Sequence, residues 1–284
     1  MNTAIKILTI ILISLIVTSC GVPKKPGNLK KEAAQTGIQI MENTHRLYEN
    51  YRETVHNFNY KSEQMNIMVG NSGFTQKSFA QEQKRIQETQ EYVSAYKQLF
   101  QSYLKTIEAK DEDENKTKEF TANALNCLEL TKTYNPKNIS ELTEEQINAY
   151  QMNPQEVMQK LIALMSSVIP ENIDRRNDYL KGFYKKYSAG LKQIPVQQFD
   201  SVKIVQQIDE PYSDKKVLVN LYKLKVDKEL YDFINVKTEH AEKTKTLING
   251  INHIYSNLNK KGISKKELAK QISSIKKEAT NKHK

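Results

Sequence analysis

The sequence predicts a mainly α-helical protein, an elongated helical bundle built around a long antiparallel helical hairpin. The 284 residues include only nine glycines and seven prolines, too few for the many tight turns of a β-sandwich or barrel. Apolar residues recur at intervals of three, four and seven along stretches that contain no proline. One stretch repeats an apolar residue every seven positions, at Phe79, Ile86, Val93, Phe100 and Ile107.

The hairpin is predicted within a region that spans residues 32 to 133. Its first helix belongs to a proline-free stretch from Leu29, just before this region, to about Val69, and the GNSGF stretch at 70 to 74 ends it. The apolar face of this helix is formed by Ile38, Met41, Leu47, Tyr48, Tyr51, Val55 and Phe58. The second helix, from about 75 to 109, carries the seven-residue stripe, which is typical of coiled-coil packing. Glu82 and Thr89 occupy the companion position and weaken the apolar seam in its first half.

A second region is predicted from 134 to 259. Asn153 followed by Pro154 is a strong helix start, and Pro170 is expected to open a further helix. Asp227 is expected to cap a long helix that continues to Leu258. Residues 201 to 226 are left open: their β-branched, partly alternating pattern fits a short β-hairpin, but Val217, Leu218, Leu221 and Leu224 also fit one face of a helix.

The first nineteen residues have the layout of a secretory signal. A weakly positive start at Lys6 precedes an apolar run from Ile7 to Val17, which is too short to span a membrane comfortably. The run ends in Val17, Thr18, Ser19 and Cys20, which resembles the lipobox of bacterial lipoproteins, with valine where leucine is commoner. An ordinary cleaved signal and an uncleaved anchor are the alternatives.

The resemblance implies cleavage before Cys20, a diacylglycerol on its thiol and usually a further acyl chain on the new amino group. Two or more acyl chains give stable anchoring. Residues 20 to 31 then form a lipidated tether that attaches the protein to a bacterial cell envelope. Gly21, rather than aspartate, follows the cysteine, which favours the outer membrane in a Gram-negative cell.

The C-terminal segment, residues 260 to 284, is predicted to be a basic amphipathic helix. It has nine lysines against two glutamates, within a chain of net charge +10. Its lysines are candidates for contact with an anionic lipid or an acidic glycan, namely Lys260, Lys261, Lys265, Lys266, Lys270, Lys276 and Lys277. Nucleic acid is not expected for an exported protein. Leu268, Ile272 and Ile275 form the apolar side, which in an alternative interpretation docks on the protein's own body.

The chemical motifs in the sequence are incomplete. His45, Glu49, Glu53 and His56 share one helical stripe, but the second ExxH and the further carboxylates of a di-iron bundle are missing, so the stripe is interpreted as a solvated face. The DEDEN stretch lacks the glycine and the final acid of a calcium loop. Cys127 is expected to be a buried apolar residue. We therefore expect no catalytic residues, no cofactor and no metal.

These patterns favour a non-enzymatic scaffold or adaptor of the bacterial envelope that binds a protein partner through its helices. The alternative is a surface lipoprotein that binds a host or environmental ligand between its helices. A third hypothesis is an envelope enzyme whose site is assembled from distant residues.

Overall fold

The computed structural model describes residues 26–69, 77–109, 113–134, 142–148, 153–208, 214–258, 260 and 262–280. Within these ranges the chain forms eight α-helices and one short 3-10 turn at Val196–Gln198, with no strand. The helices are α1 (Pro26–Val69), α2 (Lys77–Glu108), α3 (Glu114–Tyr134), α4 (Glu144–Asn148), α5 (Pro154–Gln193), α6 (Ser201–Val205), α7 (Lys215–Leu258) and α8 (Lys265–Thr280).

The predicted hairpin is confirmed in α1 and α2, which pack against each other along their length. They are antiparallel, because Lys31 near the start of α1 lies 2.5 Å from Glu108 at the end of α2. The seven-residue stripe is buried from Phe79 to Phe100, and Ile107 is partly buried against the core. Apolar burial along this seam is therefore the main force that joins the two helices.

The Phe100 ring of α2 packs directly against Gly37 of α1. A Cβ atom placed on Gly37 would lie 2.3 Å from that ring, well inside van der Waals contact. Phe100 is fully buried, and the Tyr255 ring of α7 lies against it at 5.9 Å between centroids. The hydrogen side chain of Gly37 therefore lets α1, α2 and α7 meet at one point.

The five longest helices of the bundle surround the core in the order α2, α1, α7, α5 and α3, with α3 closing the ring against α2. α7 runs antiparallel to α1, since Lys61 lies 2.7 Å from Glu229 and Asn50 lies 3.5 Å from His240. The predicted boundary at residue 134 stays a prediction, although helices from both sides of it contribute to the same buried core. We call the end where α1 begins the proximal end and the end where it stops the distal end.

The β-hairpin considered for residues 201 to 226 is wrong for the described residues, because 201–205 and 215–226 are helical. α7 buries Leu218, Val219, Tyr222 and Val226, which recur at helical spacing and pack on the core. This is not the helical face proposed from the sequence, since Val217 and Leu224 are exposed. Asp227 is not a cap either, because α7 is continuous from Lys215 to Leu258.

α5 begins as predicted, with the Asn153 side chain accepting a hydrogen bond from the Glu156 backbone N–H at 3.1 Å and Pro154 at its first position. The expectation that Pro170 opens a separate helix is wrong, because α5 continues through it to Gln193. Interior proline costs about 3 kcal/mol through its missing N–H and its ring. Burial of Val168, Ile169 and Ile173 on both sides of it offsets that cost.

The core contains an ion pair between α2 and α5. Nη1 of Arg176 lies 2.6 Å from Oε1 of Glu82, and the two side chains are only 8% and 1% exposed. Burial raises the pKa of Glu82 above its ordinary value, while the positive charges of Arg176 and Arg85 oppose the rise. The polar residue that interrupts the predicted seam is thus paired across the ring.

We expect Gly37→Ala to destabilise the protein and Gly182→Ala to stabilise it. Both glycines lie inside helices, but a Cβ on Gly182 meets no atom within 4 Å. Overpacking at Gly37 costs about 1–3 kcal/mol, whereas alanine in an open helical position gains about 0.5–1 kcal/mol over glycine. Denaturant unfolding followed by circular dichroism measures both. Equal shifts in the two variants would contradict the close contact.

We expect Arg176→Met to cost about 3 kcal/mol at pH 7, because it removes the buried partner of the Glu82 carboxylate and leaves only the half-exposed Arg85 at 3.7 Å. The Arg176 charge opposes the rise in the Glu82 pKa, so its removal should raise that pKa further. Lowering the pH from about 7 towards about 4 then protonates Glu82 in the variant before it does so in the wild type, and the variant's loss of unfolding free energy should shrink.

The control for this prediction is the double variant Glu82→Gln, Arg176→Met, measured by urea unfolding at both pH values. Removing the carboxylate should recover part of the stability at pH 7 and abolish the pH dependence of the loss. A loss that is the same at both pH values in the single variant would argue against a buried charge.

Candidate functional site

The basic C-terminal segment forms α8, which docks on the body of the protein. Leu268, Ile272 and Ala279 are buried against α1 and α7. Ile275 fits over Gly250 of α7, where an added Cβ would lie 2.5 Å from its Cδ1. The Asn43 side chain of α1 donates a hydrogen bond of 2.6 Å to the Ala279 carbonyl. The apolar side of this helix is therefore occupied within the chain.

The docking leaves most of the candidate lysines facing solvent. Lys260, Lys265, Lys266, Lys270 and Lys277 are exposed, Lys276 is half-buried, and Lys261 lies outside the described residues. Lys266, Lys270 and Lys277 stand at intervals of four and seven, on the side of α8 opposite its buried residues. We call these three residues the basic face.

The basic face is not neutralised by the described part of the chain. No described carboxylate lies within ion-pair distance of Lys266, Lys270 or Lys277, and Glu267 and Glu278 project to one flank of the helix. Many other lysines do have such partners, as Lys61 has Glu229 at 2.7 Å. The row is thus a local excess of positive charge rather than part of a mixed surface.

α8 also starts at the proximal end of the bundle. α7 is antiparallel to α1, so its last residue, Leu258, lies beside the first turns of α1. α8 begins seven residues later and then runs parallel to α1 until Ala279 reaches Asn43. The start of the basic helix and the start of α1 therefore share one end of the molecule. α1 begins at Pro26, inside the predicted tether of residues 20 to 31.

A second surface lies in the distal half. Val217, Leu224 and Tyr231 of α7 are 39%, 66% and 49% exposed and are spaced by seven residues, so they form one outward row, which we call the distal stripe. Tyr60, Ile67 and Val205 are exposed in the same half. The helical alternative for residues 201 to 226 grouped Val217 and Leu224 on one face with Leu218, which is buried, whereas Val217 and Leu224 face solvent. The seven-residue spacing of the stripe was the signal that could have revealed it.

The residues considered for metal binding do not assemble a site. His45 Nδ1 lies 3.5 Å from Glu49 on the surface of α1. Among the described residues, no group of three or more His, Cys, Asp or Glu side chains is arranged to hold a metal ion. Asp113 instead caps α3, accepting backbone hydrogen bonds from Asn115 and Lys116, and a hydrogen bond from the Lys116 side chain lowers its pKa.

The buried polar groups support the core rather than form an open site. Burial raises the pKa of the Cys127 thiol, so it stays protonated and weakly nucleophilic at neutral pH. Tyr92 and Tyr96 share the Thr131 hydroxyl at 3.2 and 3.1 Å, and both are fully buried. Burial also raises the pKa of both phenols.

Grooves between α1 and α2 are the concave regions nearest to the histidine stripe. One is lined by Glu42, His45, Arg46, Glu49 and Lys97, among others, and the next by Glu49, Glu53, His56 and Lys84 together with amides. Both open to solvent and carry charges of both signs. They lack the enclosed apolar lining that is typical of a small-molecule pocket.

The described helices include none that is long and apolar enough to pass through a bilayer. Cys20, the predicted lipidation residue, lies outside the described residues.

Comparisons of the chain with protein families, with curated proteins and with solved structures find no match.

Proposed function

We propose that this chain is a lipid-anchored, non-enzymatic adaptor of the bacterial cell envelope. The observation that carries the proposal is the separation of two exposed surfaces along one bundle: a basic face that begins at the proximal end and an apolar stripe in the distal half. In this arrangement the predicted lipid on Cys20 holds the proximal end, and the distal half binds a protein partner.

The anchor rests on the Val17 to Cys20 lipobox resemblance and on the position of α1. Six residues, 20 to 25, separate the predicted lipid from the start of α1, and they can span at most about 20 Å. The proximal end is therefore held close to the membrane surface. α1 itself, at 44 residues, extends about 66 Å, so the distal half can be far from the lipid.

The partner site rests on the distal stripe. Apolar residues at seven-residue intervals on an exposed helix match the seam by which one α-helix packs on another. Lys216, Lys225 and Lys228 lie on the exposed part of α7 near this row. The expected partner is therefore an amphipathic helix with acidic flanks.

The ligand-binding alternative has less support from the geometry, because the two grooves beside the histidine stripe are open and mostly polar, and the groove between α2 and α3 near Leu104 is open as well. The enzyme hypothesis names no residues, and it stays untested. In the adaptor proposal, the helices provide a binding surface and hold it at a distance from the membrane, and they catalyse no reaction.

We expect metabolically supplied fatty acid to label the wild-type chain and not Cys20→Ala. The reason is that the thioether-linked lipid requires that thiol, and the signal is removed before it. Labelled protein is detected after membrane fractionation and electrophoresis. Cys127→Ala is the matched control and should label normally; equal labelling of Cys20→Ala and wild type would refute the anchor.

We expect a photoreactive amino acid at position 224 to form a discrete crosslink to another protein in living cells, and one at 236 to form none. Leu224 and Val236 are 66% and 64% exposed on the same helix, but Val236 lies off the stripe. Val217→Asp with Tyr231→Asp should abolish the crosslink at 224 while changing stability little, because both residues are exposed. Equal crosslinking at 224 and 236 would contradict the partner site.

A further inference from the structure

We infer that the basic face of α8 binds the anionic phospholipid head groups of a bilayer, so that the bundle lies on its side on the membrane. The inference rests on the proposed lipid-anchored function and adds to it a second membrane contact, its chemistry and an orientation. It is carried by the direction of α8, by its docked apolar side and by the three unpaired lysines.

The lysine row sets the orientation. Lys266 and Lys277 are eleven residues apart on one helix, about 16 Å along its axis, and Lys270 lies between them. α8 is parallel to α1, so the row runs along the bundle axis. A flat bilayer can contact all three lysines only if that axis lies along the membrane. A bundle standing upright on its proximal end would bring only the first turn of α8 to the surface.

The part of the predicted tether that precedes α1, residues 20 to 25, permits this orientation. The first turn of α8 lies at the proximal end, where α1 begins. The residues from 20 to 25 can reach about 20 Å, so a lipid on Cys20 and the lysine row can meet the same membrane together. Once the lipid is inserted, the lysine contacts become intramolecular, and modest attraction is enough to hold them.

The docking of α8 decides the type of contact. Leu268 and Ile272 are buried against the body, so they are not free to insert between acyl chains as in an interfacial amphipathic helix. Binding must come from the lysine ammonium groups at the head-group surface. It is therefore electrostatic, and salt should weaken it.

The test uses the mature chain from residue 21, which keeps every described helix and carries neither signal nor lipid. Sedimentation with vesicles of equal parts phosphatidylglycerol and phosphatidylcholine measures binding, with pure phosphatidylcholine vesicles as the neutral reference. Because each lysine near an anionic surface strengthens binding roughly fivefold, Lys266→Gln, Lys270→Gln, Lys277→Gln should lower the partition coefficient about 100-fold. Raising the salt from about 0.05 M to about 0.5 M should weaken wild-type binding.

α5 supplies a matched control. Lys181, Lys185 and Lys192 are exposed and have the same spacing of four and seven. Replacing all three by glutamine changes the net charge equally and should leave vesicle binding within about threefold of wild type. Thermal unfolding of both triple variants should match wild type, since all six side chains are exposed.

Equal loss of binding in both triple variants would overturn the inference in favour of net charge. So would unchanged binding in the α8 variant, or binding of wild type to heparin but not to the anionic vesicles, which would point to an acidic glycan. Fatty-acid labelling of Cys20 tests the anchor separately, so failure of the anchor and failure of the lysine contact are distinguishable.

Nitroxide labels at Ser264→Cys and Ser273→Cys test the orientation on the anionic vesicles. Both serines are exposed, one just before α8 and one in its second half. Nickel-chelating lipids at the vesicle surface speed the spin relaxation of nearby nitroxides. This enhancement should be similar at the two sites if the bundle lies on its side. Strong relaxation at 264 with little at 273 would overturn the orientation. Cys127 is buried and should not react with the label.

Discussion

The fold depends on covering α1. This helix is 44 residues long and has buried side chains along its whole length, from Leu29 to Met68. α2, α7 and α8 pack directly on it. α5 reaches it across the ring, where the Tyr51 hydroxyl donates a 2.8 Å hydrogen bond to Oδ1 of Asn177. No single neighbour can cover a helix that is apolar on several sides, so the hydrophobic effect requires a bundle.

Polar groups inside this core select one alignment of the helices. The hydroxyls of Tyr48 and Tyr51 donate hydrogen bonds to the side-chain oxygens of Asn172 and Asn177 on α5. The carboxylate of Glu82 forms an ion pair with Arg176, which is also on α5. Sliding α5 by a single residue would keep much of the apolar burial but would separate these pairs. An unpaired buried charge or hydroxyl is costly, so the polar contacts specify the register that apolar packing alone leaves loose.

The chemistry of the exposed surface depends on which faces of the amphipathic helices are buried in the core. α8 buries Leu268 and Ile272, so only its lysines remain available for contact. α7 is the reverse in its first half: it buries one apolar face and still exposes Val217, Leu224 and Tyr231. One helix thus presents charge and the other presents apolar area, and their opposite placement along the bundle is consistent with membrane contact and protein contact at separate sites.

Local sequence determined the helices and several of their ends. Seven-residue periodicity predicted the buried stripe from Phe79 to Phe100, because a regular helix places those positions on one side. Thr143 and Gln146, three residues apart, form a capping box at the start of α4, with reciprocal hydrogen bonds of 3.1 and 3.2 Å. The basic residues of the candidate site were also identified from composition, since charge is a property of the chain itself.

Tertiary structure decided what periodicity leaves ambiguous. Residues 215 to 226 are helical because that conformation buries Leu218, Val219 and Tyr222 together, and α5 passes through Pro170 because the core holds both of its halves. Glu82 is tolerated in the seam because Arg176, distant in sequence, meets it. Each outcome depends on a partner that lies far along the chain, whereas local patterns carry information only about neighbours within a few turns.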